Sequence, residues 1–107
     1  MKLLFVCSRN RLRSPTAEAL FLNNPGVETV SAGTSPDADN PISLDLIEWA
    51  DVIFVMEKIH CKRLNERFGT ALRAKKIVVL GISDKYGYMD AELIKVLSVK
   101  LDRYLLP

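Results

Sequence analysis

Cys7 and Arg13 stand six positions apart, in Cys7-Ser8-Arg9-Asn10-Arg11-Leu12-Arg13, directly after an apolar run and before Ser14-Pro15. A loop of this length can curl so that successive backbone N–H groups point inward and make an anion-binding nest. Pro15 marks a helix start, because proline is favoured where its missing N–H costs nothing. The positive end of that helix would face the same spot. N–H groups, helix dipole and arginines together favour a thiolate, the reactive form of cysteine. Arg13 can grip two oxygens of a tetrahedral oxyanion, and Ser14 is near enough in sequence to donate to the sulfur. These parts suit attack by Cys7 on phosphorus, giving a phosphocysteine. The spacing alone also fits a small buried cysteine beside a solvated basic patch. A strand before it, a helix start after it and three arginines within five residues favour a pocket.

The elements around this loop must position it. Lys2–Val6 reads as a buried strand ending at Cys7. Ala17, Leu20 and Phe21 give the next helix an apolar stripe, and Asn23-Asn24-Pro25-Gly26 stops it. Val27–Ser31 reads as a second strand, followed by a loop over Ala32–Asn40 rich in Gly, Pro and Asp. Leu44, Ile47 and Trp49 outline a short helical turn, and Val52–Met56 is the apolar run of a central strand. Over Lys58–Phe68, Ile59, Arg63/Leu64 and Phe68 recur at helical intervals, with Gly69 as the stop. Lys76–Leu80 is a fourth strand. A last helix from about Asp90 aligns Leu93, Ile94, Leu97, Leu101 and Leu105 on one face. Strands separated by helices or long loops require crossovers, hence an α/β fold with a mostly parallel sheet. Such sheets bind ligands beyond the carboxyl ends of their strands. Cys7, the Ala32–Asn40 loop, Glu57 and the Gly81–Tyr88 loop fall there.

Size and charge narrow the function classes. The 107 residues, 49% hydrophobic and 26% charged, make a single domain over residues 1–107 and exclude a barrel or a separate cofactor domain. A net charge of +2 and a pI near 8.6 are too balanced for a general nucleic-acid binder, so no nucleic-acid partner is expected. Cys7 and Cys61 cannot staple a disulfide scaffold, and no apolar run approaches membrane-spanning length. The expectation is a cytoplasmic protein with no membrane association. His60-Cys61 lacks partners at metal-ligand spacing, so neither metal nor cofactor is expected. His60 itself reads as a surface histidine on a polar helix, and Trp49 as a core or interface residue. The sequence sets no oligomeric state.

The stretch Val6-Cys7-Ser8-Arg9-Asn10-Arg11-Leu12-Arg13-Ser14-Pro15-Thr16-Ala17-Glu18 resembles the low molecular weight protein tyrosine phosphatase family. Val30-Ser31-Ala32-Gly33-Thr34, Asp51-Val52-Ile53-Phe54-Val55-Met56-Glu57 and Asp84-Lys85-Tyr86-Gly87 resemble further segments of it, in the same order. The resemblance implies a small three-layer sandwich, its four-stranded parallel sheet ordered 2-1-3-4, with the phosphate loop after strand 1. It implies Cys7 as nucleophile, Arg13 as phosphoryl clamp and Asp84 as general acid. Ser8, Arg9, Asn10, Arg11, Leu12, Ser14 and Tyr86 would contact substrate, with Asn10 holding the loop and Ser14 stabilising the thiolate. The implied activity is hydrolysis of a phosphomonoester, of protein phosphotyrosine type, on a phosphorylated protein or a small phosphomonoester. From the residues alone, Asp84 could equally be a turn aspartate. Asp90 competes for the acid role but reads better as a helix N-cap. Tyr86 and Tyr88 either wall the pocket mouth or pack beneath the loop.

The chain departs from the resembled pattern in four places. Arg9 stands where glycine is usual, Leu12 replaces a frequent second cysteine, and Lys85 follows the acid in place of proline. The region after Thr34 is abbreviated, and its Ser35-Pro36-Asp37-Ala38-Asp39 carries no aromatic residue. Two other functions fit parts of the pattern. A thiol-dependent arsenate reductase would need resolving thiols, of which only Cys61 is available. A noncatalytic oxyanion- or polyanion-binding module would use the arginines but have no need of Asp84.

Overall fold

The computed structural model describes residues 1–105, except for the side chains of Arg103 and Leu105. Eight elements follow one another: β1 (Lys2–Cys7), α1 (Arg13–Phe21), β2 (Glu28–Gly33), α2 (Leu44–Trp49), β3 (Val52–Val55), α3 (Lys58–Leu72), β4 (Lys76–Val79) and α4 (Ala91–Leu105). The four strands form one parallel sheet in the order β2-β1-β3-β4, as the resemblance implies. Apart from Lys2 at the start of β1, both central strands are apolar because each is covered on both faces.

Alternation along β1 and β3 divides the core. Leu3, Phe5 and Cys7 join Phe54 and Met56 on one face, where α1 and α4 bring Ala17, Leu93, Leu97 and Leu101. Phe5 stacks on Phe54 with centroids 5.3 Å apart, and Tyr104 meets Phe54 edge-on at 5.1 Å. On the other face, Leu4, Val6, Ile53 and Val55 meet Ile47 of α2 and Leu64 and Leu72 of α3. Leu93, Leu97 and Leu101 hold α4 on the sheet; the side chain of Leu105 lies outside the described residues.

Several boundaries differ from the sequence expectation. β2 continues two residues further, to Gly33, because Gly33 still pairs with Cys7 in register. α3 does not stop at Gly69. Phe68 leaves helical geometry (φ −127°, ψ 20°), yet the helix resumes and runs to Leu72. The buried positions of α3 are His60, Leu64 and Leu72, while Ile59 is exposed. Among the described residues no helix is long and apolar enough to cross a membrane.

Candidate active site

At the carboxyl end of β1 the chain turns through residues 8–12 before α1 begins. Asn10 adopts the left-handed region (φ 58°), which asparagine tolerates better than most residues. Its buried Nδ2 donates to Ser14 Oγ at 3.0 Å, tying the loop's midpoint to the helix that follows. Ser14 Oγ lies 3.0 Å from Cys7 Sγ. That oxygen accepts from Asn10, so its own hydrogen can go to the sulfur or to Ala32 O, the more distant acceptor at 3.4 Å.

A second loop supports this one from behind. After β2 the chain runs alongside residues 7–9, with Thr34 N–H donating to Cys7 O, Ser35 N–H to Ser8 O and Asp39 N–H to Arg9 O. The parallel ladder thus continues past the strands into the loop. Gly33 makes the approach possible: a Cβ there would lie 2.5 Å from Ala38 Cβ and 2.6 Å from Ser8 O. The Gly81–Tyr88 loop is tied in from the other side. Arg13 Nη1 donates to Ile82 O at 2.8 Å. Met89 N–H donates to Thr16 Oγ1, which itself donates to Leu12 O.

Cys7, Ser8, Arg9, Arg11, Leu12, Arg13 and Asp84 line one cavity of about 310 Å³. Arg13 is buried yet charged, and its guanidinium bonds the Glu57 carboxylate and reaches Asp84 Oδ1 at 3.6 Å. Two carboxylates and a carbonyl thereby offset the cost of burying it. Asp84 itself is 65% exposed at the mouth. Asp90 has other work: its Oδ1 accepts from Glu92 N–H at 2.8 Å and caps α4. Asn10 and Ser14 act from beneath the cavity rather than from its wall. Tyr86 packs against the core cluster under its loop and does not line the cavity, while Tyr88 is exposed. Cys61 rests against the cluster on the opposite sheet face, with Asn65 Nδ2 directed at its sulfur. Among the described residues no group of three or more His, Cys, Asp or Glu side chains could hold a metal ion.

The surface position expected for His60 is overturned. It is fully buried at the start of α3, with Ser8 Oγ 2.9 Å from Nε2 and Glu57 N–H donating to Nδ1 at 3.0 Å. An Nδ1 that accepts places the hydrogen of the neutral ring on Nε2, which therefore donates to Ser8. The first turn of α3 thus holds both ends of the phosphate loop, Ser8 through His60 and Arg13 through Glu57. Polar neighbours Lys58 and Lys62 concealed this position in the sequence; its spacing of four from buried Leu64 is the signal that could have found it.

Burial first, and then the Arg13 charge, push the His60 imidazole from 6.5 down to about 4. The unfolded chain therefore takes up this proton near 6.5 and the folded chain only near 4. The stabilisation is complete above the first value and is lost as pH falls through the second. Thermal melts over this range should fall more steeply for the wild type than for His60→Asn. Parallel slopes would remove His60 from the acid response.

No family model and no curated protein matches the sequence. Solved structures do match it. The YwlE arginine phosphatase from Geobacillus stearothermophilus superposes with a TM-score of 0.76 at 26% identity, over 97% of this chain and 92% of that one. A cysteine-to-serine variant of YwlE arginine phosphatase, with its active-site serine phosphorylated, gives 0.74 at 25% identity, over 98% and 95%. The low molecular weight protein tyrosine phosphatase from Streptococcus pyogenes gives 0.77 at 20% identity, over 98% and 93%.

Proposed function

We propose that this chain, which has the low molecular weight protein tyrosine phosphatase fold, is a cysteine-dependent phosphatase hydrolysing phosphomonoesters through a phosphocysteine. The observation that carries the reading is one cavity lined by Cys7 at its base, Arg13 beside it and Asp84 at its mouth. Cys7 Sγ attacks phosphorus while Arg13 and the loop's N–H groups hold the equatorial oxygens. The ester P–O bond breaks, and Asp84 gives its proton to the departing oxygen. Asp84 then takes a proton from water as that water attacks phosphorus, breaking the S–P bond and releasing orthophosphate. Support for the covalent step comes from the YwlE variant, whose phosphoryl group resides on the serine that replaces its cysteine. Ser14 and Asn10 keep the sulfur and loop in place, and Ser8, Arg9, Arg11 and Leu12 form the wall a substrate meets. Cys61 lies on the other face of the sheet from Cys7, which favours hydrolysis over the arsenate-reductase reading.

Hydrolysis of a generic aryl phosphate between about pH 5 and 8 tests the reading, and a purified, folded protein with no turnover would end it. The acid has its own test. Asp84→Asn should slow an alkyl phosphate by about 10²–10⁴-fold and an activated aryl phosphate far less, because only the former needs its leaving oxygen protonated. Asp90→Asn should instead cost at most about 1 kcal/mol in stability, through a weaker cap, with no dependence on the leaving group. The reverse pattern would move the acid to Asp90.

A further inference from the structure

We infer that the substrate carries a second anionic group close to its phosphoryl group, and that Arg9 binds it. This rests on the phosphatase reading and names the substrate class for the same cavity. The charges at the site are unequally matched. Arg13 faces Glu57 and Asp84, and Arg11 Nε pairs with Asp39 Oδ1 at 3.2 Å. Arg9 lines the same cavity, is exposed, and pairs with no carboxylate among the described residues. The loop that backs it donates one backbone N–H, from Asp39, to Arg9 O, and spends that residue's carboxylate on Arg11. The backbone of Arg9 is therefore fixed while its guanidinium stays available. A single phosphoryl group occupies Arg13 and leaves Arg9 unanswered.

The wall points the same way. Among the described residues no aromatic side chain lines the cavity, and Leu12 is its one large aliphatic contributor. Tyr86 is committed to the core, with the Lys85 ammonium 5.3 Å from its ring centroid. An aryl leaving group finds no ring to stack on here among the described residues, whereas an anionic carrier finds a cation. A planar guanidinium binds either a carboxylate or a phosphate bidentately, so an acidic side chain beside a phosphorylated residue and a second phosphate on a small molecule share this chemistry.

Two matched pairs test the inference, each holding the leaving group constant: a phosphopeptide with acidic or neutral flanks, and a small bisphosphate or its monophosphate. The bis-anionic member should be favoured in kcat/KM by about three- to tenfold at low salt, in one pair or both, and the preference should shrink near 1 M salt. Arg9→Gln should bring the ratio toward one, and Arg9→Glu below it. A preference in one pair alone identifies the source of the second anion. Equal rates in both pairs, or a preference that survives Arg9→Gln, would overturn the inference and leave the phosphatase reading standing. Binding of the same pairs to Cys7→Ala gives an answer that does not depend on turnover. Equal affinities there overturn the inference as well, and a preference there without wild-type turnover would support the anion site while ending the phosphatase reading.

Discussion

Replacing Cys7 by serine is expected to abolish turnover, lowering kcat by about 10³-fold or more. The change is one atom, and the surroundings are unfavourable to an oxygen nucleophile. Ser14 Oγ, 3.0 Å from the sulfur, has one hydrogen to give and already accepts from Asn10. That arrangement lets Ser14 donate to the sulfur and offers no base to deprotonate a serine. Any phosphoryl group that does reach the serine should stay there, because an alkoxide leaves far less readily than a thiolate. Intact-mass measurement after incubation with an aryl phosphate should then find an adduct that accumulates in Cys7→Ser and is absent from Cys7→Ala. Rates of Cys7→Ser within tenfold of wild type would exclude Cys7 as the attacking atom.

Gly33→Ala should damage the enzyme nearly as badly without touching a reacting group. The added methyl would lie 2.5 Å from Ala38 Cβ and 2.6 Å from Ser8 O, and neither is the far end of a flexible side chain. The loop over residues 34–39 and the phosphate loop must separate, loosening the bonds from Thr34, Ser35 and Asp39. Overpacking of this kind costs about 1–3 kcal/mol. Misplacing the nucleophile's loop by about an ångström can cost a further 10²-fold in kcat/KM. Gly69→Ala is the matched control, since nothing lies within 4 Å of its Cβ position and it sits inside α3. Urea melts and kcat/KM on both variants decide the point. If Gly33→Ala keeps wild-type stability and rate, the close approach does not hold the loop.

The sequence carried most of the sheet because β1 and β3 are short unbroken apolar runs, a pattern that fully covered parallel strands produce. It carried the Cys7–Arg13 segment because residues this close along the chain, between a strand and a helix, reach one cavity through a single turn. It misplaced the inward face of α3. Ile59 was the apolar residue on view, but the first turn follows His60, whose burial depends on Ser8, 52 positions away, and on the neighbouring backbone of Glu57. Long-range hydrogen bonds of that sort leave no periodic trace. Gly69 failed as a stop for a related reason: a glycine ends a helix when it turns left-handed, and here the interruption falls on Phe68 instead. Asp90 was legible as the cap of the last helix, and its bond with Glu92 N–H bears that out, whereas the place of Asp84 at the cavity needed coordinates.

The company kept by Arg13 bears on how a catalytic cycle ends. Its guanidinium bonds Glu57 and the Ile82 carbonyl and faces Asp84. An arriving dianion must share the clamp with these residents rather than fill an empty socket. Orthophosphate has lost the rest of the substrate and any second contact made through it. On the phosphatase reading, this sharing should weaken the grip on orthophosphate and speed its clearance.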